Sequence, residues 1–294
     1  MSDPIDVASI SQSCSFFRKL IHHPVDQHLW RLLFLARFDD PRPTFTINGG
    51  DPNKYPWSSE LKRRIRSETL LTRRKSFALL QPKDQTLALR TLIDVVRNFP
   101  SPGVLENSLD LEWVERLIVT ADIRNAPSNA ETAELLAQLH AYHGLTREEK
   151  SWPGSNAMRT AARGYVYDLR NYAKENMWGP FFQDESGRVS WVHVNHLFTV
   201  VSMSLEDIPH LWERMRPPTG LAAMRPYSAP GTISDPKDWA GVEGSWYRYV
   251  CFIDYRLVPH LYTLVQAFAV FLISHIRDLF GEPSSYLDVS AVAN

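Results

Sequence analysis

Proline divides the start of the chain into two short apolar-periodic runs, and this constrains its fold more than any other feature. Apolar residues recur at spacings of three and four at Val7, Ile10, Cys14, Phe17, Leu20 and Ile21, which marks one face of a helix over residues 6–21. Asp3 is suited to cap this helix and Pro4 to open it. His22-His23-Pro24 breaks the pattern. A second run, Leu29, Trp30, Leu32, Leu33, Phe34 and Phe38, ends at Asp39-Asp40-Pro41-Arg42-Pro43, because proline cannot continue a helix. Two helices this short are not stable alone, so their apolar faces must be buried on the rest of the chain or on a partner.

The rest of the chain is large enough to supply that burial. It has 294 residues, 44% of them hydrophobic, so a sizeable core is expected. A net charge of −1 leaves no global field directed at nucleic acid, and no nucleic-acid partner is expected. The cysteines are Cys14 and Cys251, with no CxxC, which excludes a zinc site built on paired thiolates. Cys14 lies on the apolar face of the first run and is expected to be buried, as is Cys251. The residues after Met1 show neither a basic nor an apolar leader pattern, so cytoplasm or nucleus is the expected location.

Further helices follow. Residues 58–78 form a strongly basic candidate that includes Lys62, Arg63, Arg64 and Arg66. Its charges are read as a solvated face over Leu61, Ile65, Leu70 and Leu71. Pro82 opens a helix to Phe99, another spans about Ser108–Ala121, and Ser128 with Glu131 forms a capping box for a third. Beyond Gly144 the character changes. Tyr165-Val166-Tyr167 and Gly244–Tyr255 read as strands, Trp191–Met203 as a buried helix, and residues 217–239 as irregular. The expected fold class is therefore α+β, with helices first and a few strands later. The segments are 1–45, 46–150 (helical), 151–256 (mixed) and 257–294.

Catalytic signatures do not emerge. GxSxG, GxGxxG and the phosphate-loop lysine are all missing. His140/His143 and His193/His196 are pairs at i, i+3 with neither an HExxH glutamate nor an evident third ligand, so no metal is expected. No cofactor is expected, and the chain is read as a non-enzyme.

The stretch Asp6–Leu20, followed by Pro24 and then Leu29-Trp30-Arg31, resembles the later part of an F-box. Phe38-Asp39-Asp40-Pro41-Arg42 is similar to the tail of F-box proteins expanded in mushroom-forming fungi. Tyr167–Tyr172, Trp178-Gly179-Pro180-Phe181, Val189–Val194 and Asp238–Trp246 resemble segments of the same family. A full F-box opens with a helix containing Leu-Pro, and the residues before Val7 do not carry one. The resemblance implies a substrate receptor of a cullin–RING ubiquitin ligase, docked to a Skp-type adaptor through Cys14, Phe17, Leu20, Pro24, Leu29 and Trp30. The later region would hold an unidentified protein substrate. The alternatives are a scaffold without a ligase role and a membrane-anchored protein.

The membrane alternative rests on residues 257–276, which contain no Asp, Glu, Lys or Arg. A buried helix fits them equally. So does an unspliced intron, since removing 257–277 joins Asp254-Tyr255-Arg256 to Asp278-Leu279-Phe280 as in the related sequences.

Overall fold

The computed structural model describes residues 4–22, 26–73, 77–99, 108–121, 123, 129–143, 154–184, 186–206 and 220–221. The expected strand at 244–255, the irregular stretch 217–239 apart from residues 220–221, Cys251 and the apolar run 257–276 lie outside them, as do Asp3, Pro24 and Ser128.

Helix formation near the N-terminus is interrupted where serine competes with the helix backbone. Ser11 Oγ and Ser13 Oγ donate to the carbonyls of Ala8 and Ile10. The single expected helix is accordingly two, α1 (Pro4–Ser13) and α2 (Ser15–His22), with Cys14 exposed at the break rather than buried. These two pack on each other and bury Val7 and Ile21. α3 (His28–Leu35) buries Trp30, Leu33 and Phe34, and the Trp30 indole N–H donates to the Ile21 carbonyl at 3.2 Å. The proline-rich stop is followed at once by a further short helix, α4 (Arg42–Ile47). Pro43 is tolerated there because it sits in the first turn.

α5 (Trp57–Arg73), α6 (Pro82–Arg97), α7 (Leu109–Thr120) and α8 (Ala130–His143) form the centre, followed by α9 (Ser155–Val166) and α10 (Trp191–Glu206). α6 touches α5, α7 and α8 and is buried on several sides through Leu89, Leu92, Ile93, Val95 and Val96. Its buried Thr91 Oγ1 takes a hydrogen bond from Ser67 Oγ at 3.0 Å, and its buried Gln85 donates through Nε2 to Phe77 O at 3.1 Å, while Gln85 Oε1 finds no partner among the described residues. α8 is opened by Asn129 and Thr132, each side chain accepting from the other's backbone N–H. Glu131 pairs with Arg90 at 2.7 Å, and the other member of the expected capping box, Ser128, lies outside the described residues. One continuous core runs from Val7 of α1 to Leu139 of α8.

The expected α+β class is overturned. Helix takes up 76% of the described residues and strand 1%, with no sheet. The bridge between Phe181 and Val189 is the one strand-like pairing among them. Tyr165 and Val166 finish α9, and Tyr167 caps it by donating its N–H to the Arg163 carbonyl at 3.0 Å. Three aromatic or β-branched residues are too few to resist a helix already begun by the alanine-rich run before them.

Part of the basic stripe on α5 points inward. Arg64 is only 3% exposed. Its Nη1 meets Asp110 Oδ1 at 2.7 Å and its Nε meets Glu60 Oε1 at 3.0 Å, while its guanidinium carbon lies 4.7 Å from the Phe34 ring and 4.6 Å from the Phe38 ring. Asp39, just after α3, accepts from Ser108 Oγ at 2.5 Å and from the backbone N–H groups of Leu109 and Asp110 at 3.1 and 3.3 Å. It therefore closes the N-terminus of α7 from a distant part of the chain. Burial pushes the Asp110 carboxyl up to about 6, with the Arg64 charge pulling it down and Asp39 pushing it further up.

Removing one member of this cluster leaves buried charge uncompensated. Arg64→Met is expected to cost about 3–5 kcal/mol in urea denaturation. Arg90→Met, which breaks the exposed pair with Glu131, is expected to cost no more than about 1 kcal/mol.

Candidate docking surface

α2 is apolar on the wrong side for a purely structural helix. Its inner side contributes Ile21 to the core. Its outer side carries Phe16 at 69% exposure and Leu20 at 54%, with Phe17 also exposed. The spacings i, i+4 and i, i+3 place the three on one helical face, and the Phe16 and Phe17 rings meet edge to face at 5.7 Å. Contiguous apolar surface of this kind marks interaction sites more often than isolated exposed leucines do.

The helix is held so that this face stays outward. α1 packs behind it, Arg18 Nε reaches the Ser11 carbonyl at 3.4 Å, and Trp30 binds the last turn through Ile21. Lys62 of α5 lies over the Trp30 ring at 4.6 Å and covers it. The six residues singled out from the sequence are thus divided. Phe17 and Leu20 face outward on α2, with Cys14 exposed at its start. Leu29 is half-buried against the core, and Trp30 is within it. Pro24 lies outside the described residues. Phe16, not singled out beforehand, is the most exposed of the group, and its immediate neighbour Phe17 was the signal that pointed to it.

His140 approaches the second histidine pair at another place in the fold. His196 stacks on Tyr165 with ring centroids 4.5 Å apart, and His193 meets the Tyr165 and Tyr172 rings edge-on at 5.2 and 5.1 Å. His140 Nδ1 is 2.5 Å from Asn195 Oδ1. Glu134 of α8 accepts from Trp191 N at 2.6 Å and from Ser190 Oγ at 3.3 Å, which fixes the start of α10. No cluster of three or more His, Cys, Asp or Glu among the described residues could hold a metal ion. No helix among them is long and apolar enough to cross a membrane.

Burial holds the His193 and His196 imidazoles below the usual histidine range. His196 adds to the effect at His193, and His140 adds to it at His196. Comparison with models of known families, with curated proteins and with solved structures found no match to the chain.

The native state therefore binds fewer protons here than the unfolded chain. The stabilisation from these two histidines is complete above the ordinary histidine value of about 6.5 and declines as the pH falls below it toward their folded-state values. Amide exchange in α10 is expected to speed up relative to α6 as the pH falls below about 6.5. His193→Gln with His196→Gln should remove that pH dependence.

Proposed function

We propose that the chain is a non-enzymatic substrate receptor of an SCF-type cullin–RING ubiquitin ligase, and that it engages a Skp-type adaptor through the outer face of α2. The observation that carries this reading is the exposure of Phe16, Phe17 and Leu20 on the helix whose sequence resembles an F-box. Such a face fits a helix-in-groove partner with apolar anchors at i, i+1 and i+4. The fixed placement of α2 on the core also favours binding, because little order remains to be imposed on association. The later part of the chain would then hold the substrate.

Co-expression of the full chain with a Skp-type adaptor, followed by affinity capture and gel filtration, tests this. A stoichiometric complex is expected. Phe17→Ser combined with Leu20→Ser should weaken it at least about tenfold, equivalent to ~1.4 kcal/mol or more, with the melting temperature unchanged. Trp30→Ala, by contrast, should act on stability, costing about 3–5 kcal/mol as a large core aromatic is lost. A folded wild-type chain that ignores the adaptor would leave α1–α3 with core packing as their role.

A further inference from the structure

Between α9 and α10 the backbone adopts a conformation that neither of its residues favours. Met177 and Trp178, consecutive and neither of them glycine, have φ of 53° and 58°. Left-handed geometry at such residues is sterically unfavourable and persists only where the surroundings impose it. Here Asn176 imposes it. Its buried side chain accepts from Ala173 N at 2.8 Å and donates to Asn171 O at 2.6 Å, while Trp178 N donates back to Ala173 O at 2.9 Å. Gly179 completes the turn where a Cβ would come within 3.1 Å of the Phe181 ring. The result sets Met177 and Trp178 outward, Trp178 at 58% exposure. An aromatic side chain presented to water by a strained, pinned turn is not explained by core packing.

Asn176, which pins this turn, also lines a cavity of about 370 Å³, large enough for a small ligand or one or two side chains. Tyr165, Phe181 and Phe182 give it aromatic walls, and Asn171 and Gln183 add amide groups. His193, 1% exposed, forms part of the wall, and its Nε2 has no hydrogen-bond partner. A buried polar atom left in this state is costly unless another molecule satisfies it. Among the described residues of the lining there is no arginine, lysine, aspartate or glutamate. The charges nearby are already engaged: Arg170 bonds Asp168, Arg188 bonds Asp184 while lying over the Phe182 ring at 4.9 Å, and the Glu134 carboxylate takes hydrogen bonds from Ser190 Oγ and the Trp191 N–H. The site therefore selects for an uncharged occupant with polar groups.

Resting on the receptor reading above, we infer that this cavity and the Met177–Trp178 turn form the substrate-binding site, taking an uncharged peptide segment that places one polar-tipped side chain (Tyr, Gln or Asn) in the cavity and packs against Trp178. Hydrogen-bonding groups beside aromatic walls, with His193 Nε2 among them, discriminate against both charged and purely aliphatic side chains, which respectively lack a counter-charge and leave polar groups unmatched.

Selection of random displayed decapeptides on the immobilised full chain, with calorimetry on the enriched peptides, tests the site. Enrichment of uncharged peptides containing Tyr, Gln or Asn is expected. Trp178→Ser should weaken them at least tenfold, as should His193→Phe, with the helical circular dichroism retained. Enrichment of acidic or basic peptides, equal binding to Trp178→Ser, no enrichment at all, or binding of dextran in place of peptides would overturn the inference. Capture of the Skp-type adaptor by Trp178→Ser separates the two readings. Adaptor binding without peptide selection refutes this site alone, and peptide selection without adaptor binding refutes the ligase role alone.

Discussion

Arg64 is the point on which the described structure turns. A guanidinium removed from water must recover its hydration from fixed partners, and these come from three separated stretches of the chain: Phe34 and Phe38 over its faces, Glu60 one helical turn back, and Asp110 at the start of α7. Asp39 ties the same place to Ser108 and to the α7 backbone. No neighbouring pair of these groups suffices, so α3, α5 and α7 are fixed together or not at all. The N-terminal helical segment is consequently continuous with the main core rather than appended to it. A second carboxylate extends the same logic: Glu68 meets Arg37 at 3.0 Å, Arg116 at 2.9 Å and the Trp113 indole N–H at 3.3 Å.

This arrangement also accounts for the outward face of α2. The inner sides of α1 and α3 are committed to the core through Val7, Trp30, Leu33 and Phe34. α2 contributes Ile21 alone. Phe16, Phe17 and Leu20 are surplus to that packing, and a helix anchored at its end by Trp30 holds them in place at little further entropic cost.

Much of the helical content was legible because period and punctuation agree. Pro82 does open α6, Ser108 caps α7 by accepting from Leu111 N at 3.1 Å, and α10 begins at Trp191. The failures have separate physical causes. Periodicity carried the first helix across Cys14 because it does not register serine side chains bonding back to carbonyls. The Tyr165-Val166-Tyr167 strand was propensity outweighed by the helix leading into it. Arg64 was read as one more solvated charge, since burial of a cation depends on aspartates and aromatics far away in sequence. At the candidate surface, Phe17 and Leu20 were legible as apolar but not as outward, because a helical stripe does not reveal which of its members a neighbouring helix covers. The meeting of His193 and His196 at Tyr165, the approach of His140 to Asn195, and the left-handed pair at Met177 and Trp178 carry no local signal.

The most direct test of the account is amide hydrogen exchange on the full chain, read helix by helix with and without a Skp-type adaptor. The account predicts that α3 exchanges as slowly as α5 and α7, reflecting their shared buried cluster, and that the adaptor adds protection to α2 while leaving α5–α7 unchanged. Fast exchange of α3 against slow α5 and α7, or adaptor protection that bypasses α2, would contradict it.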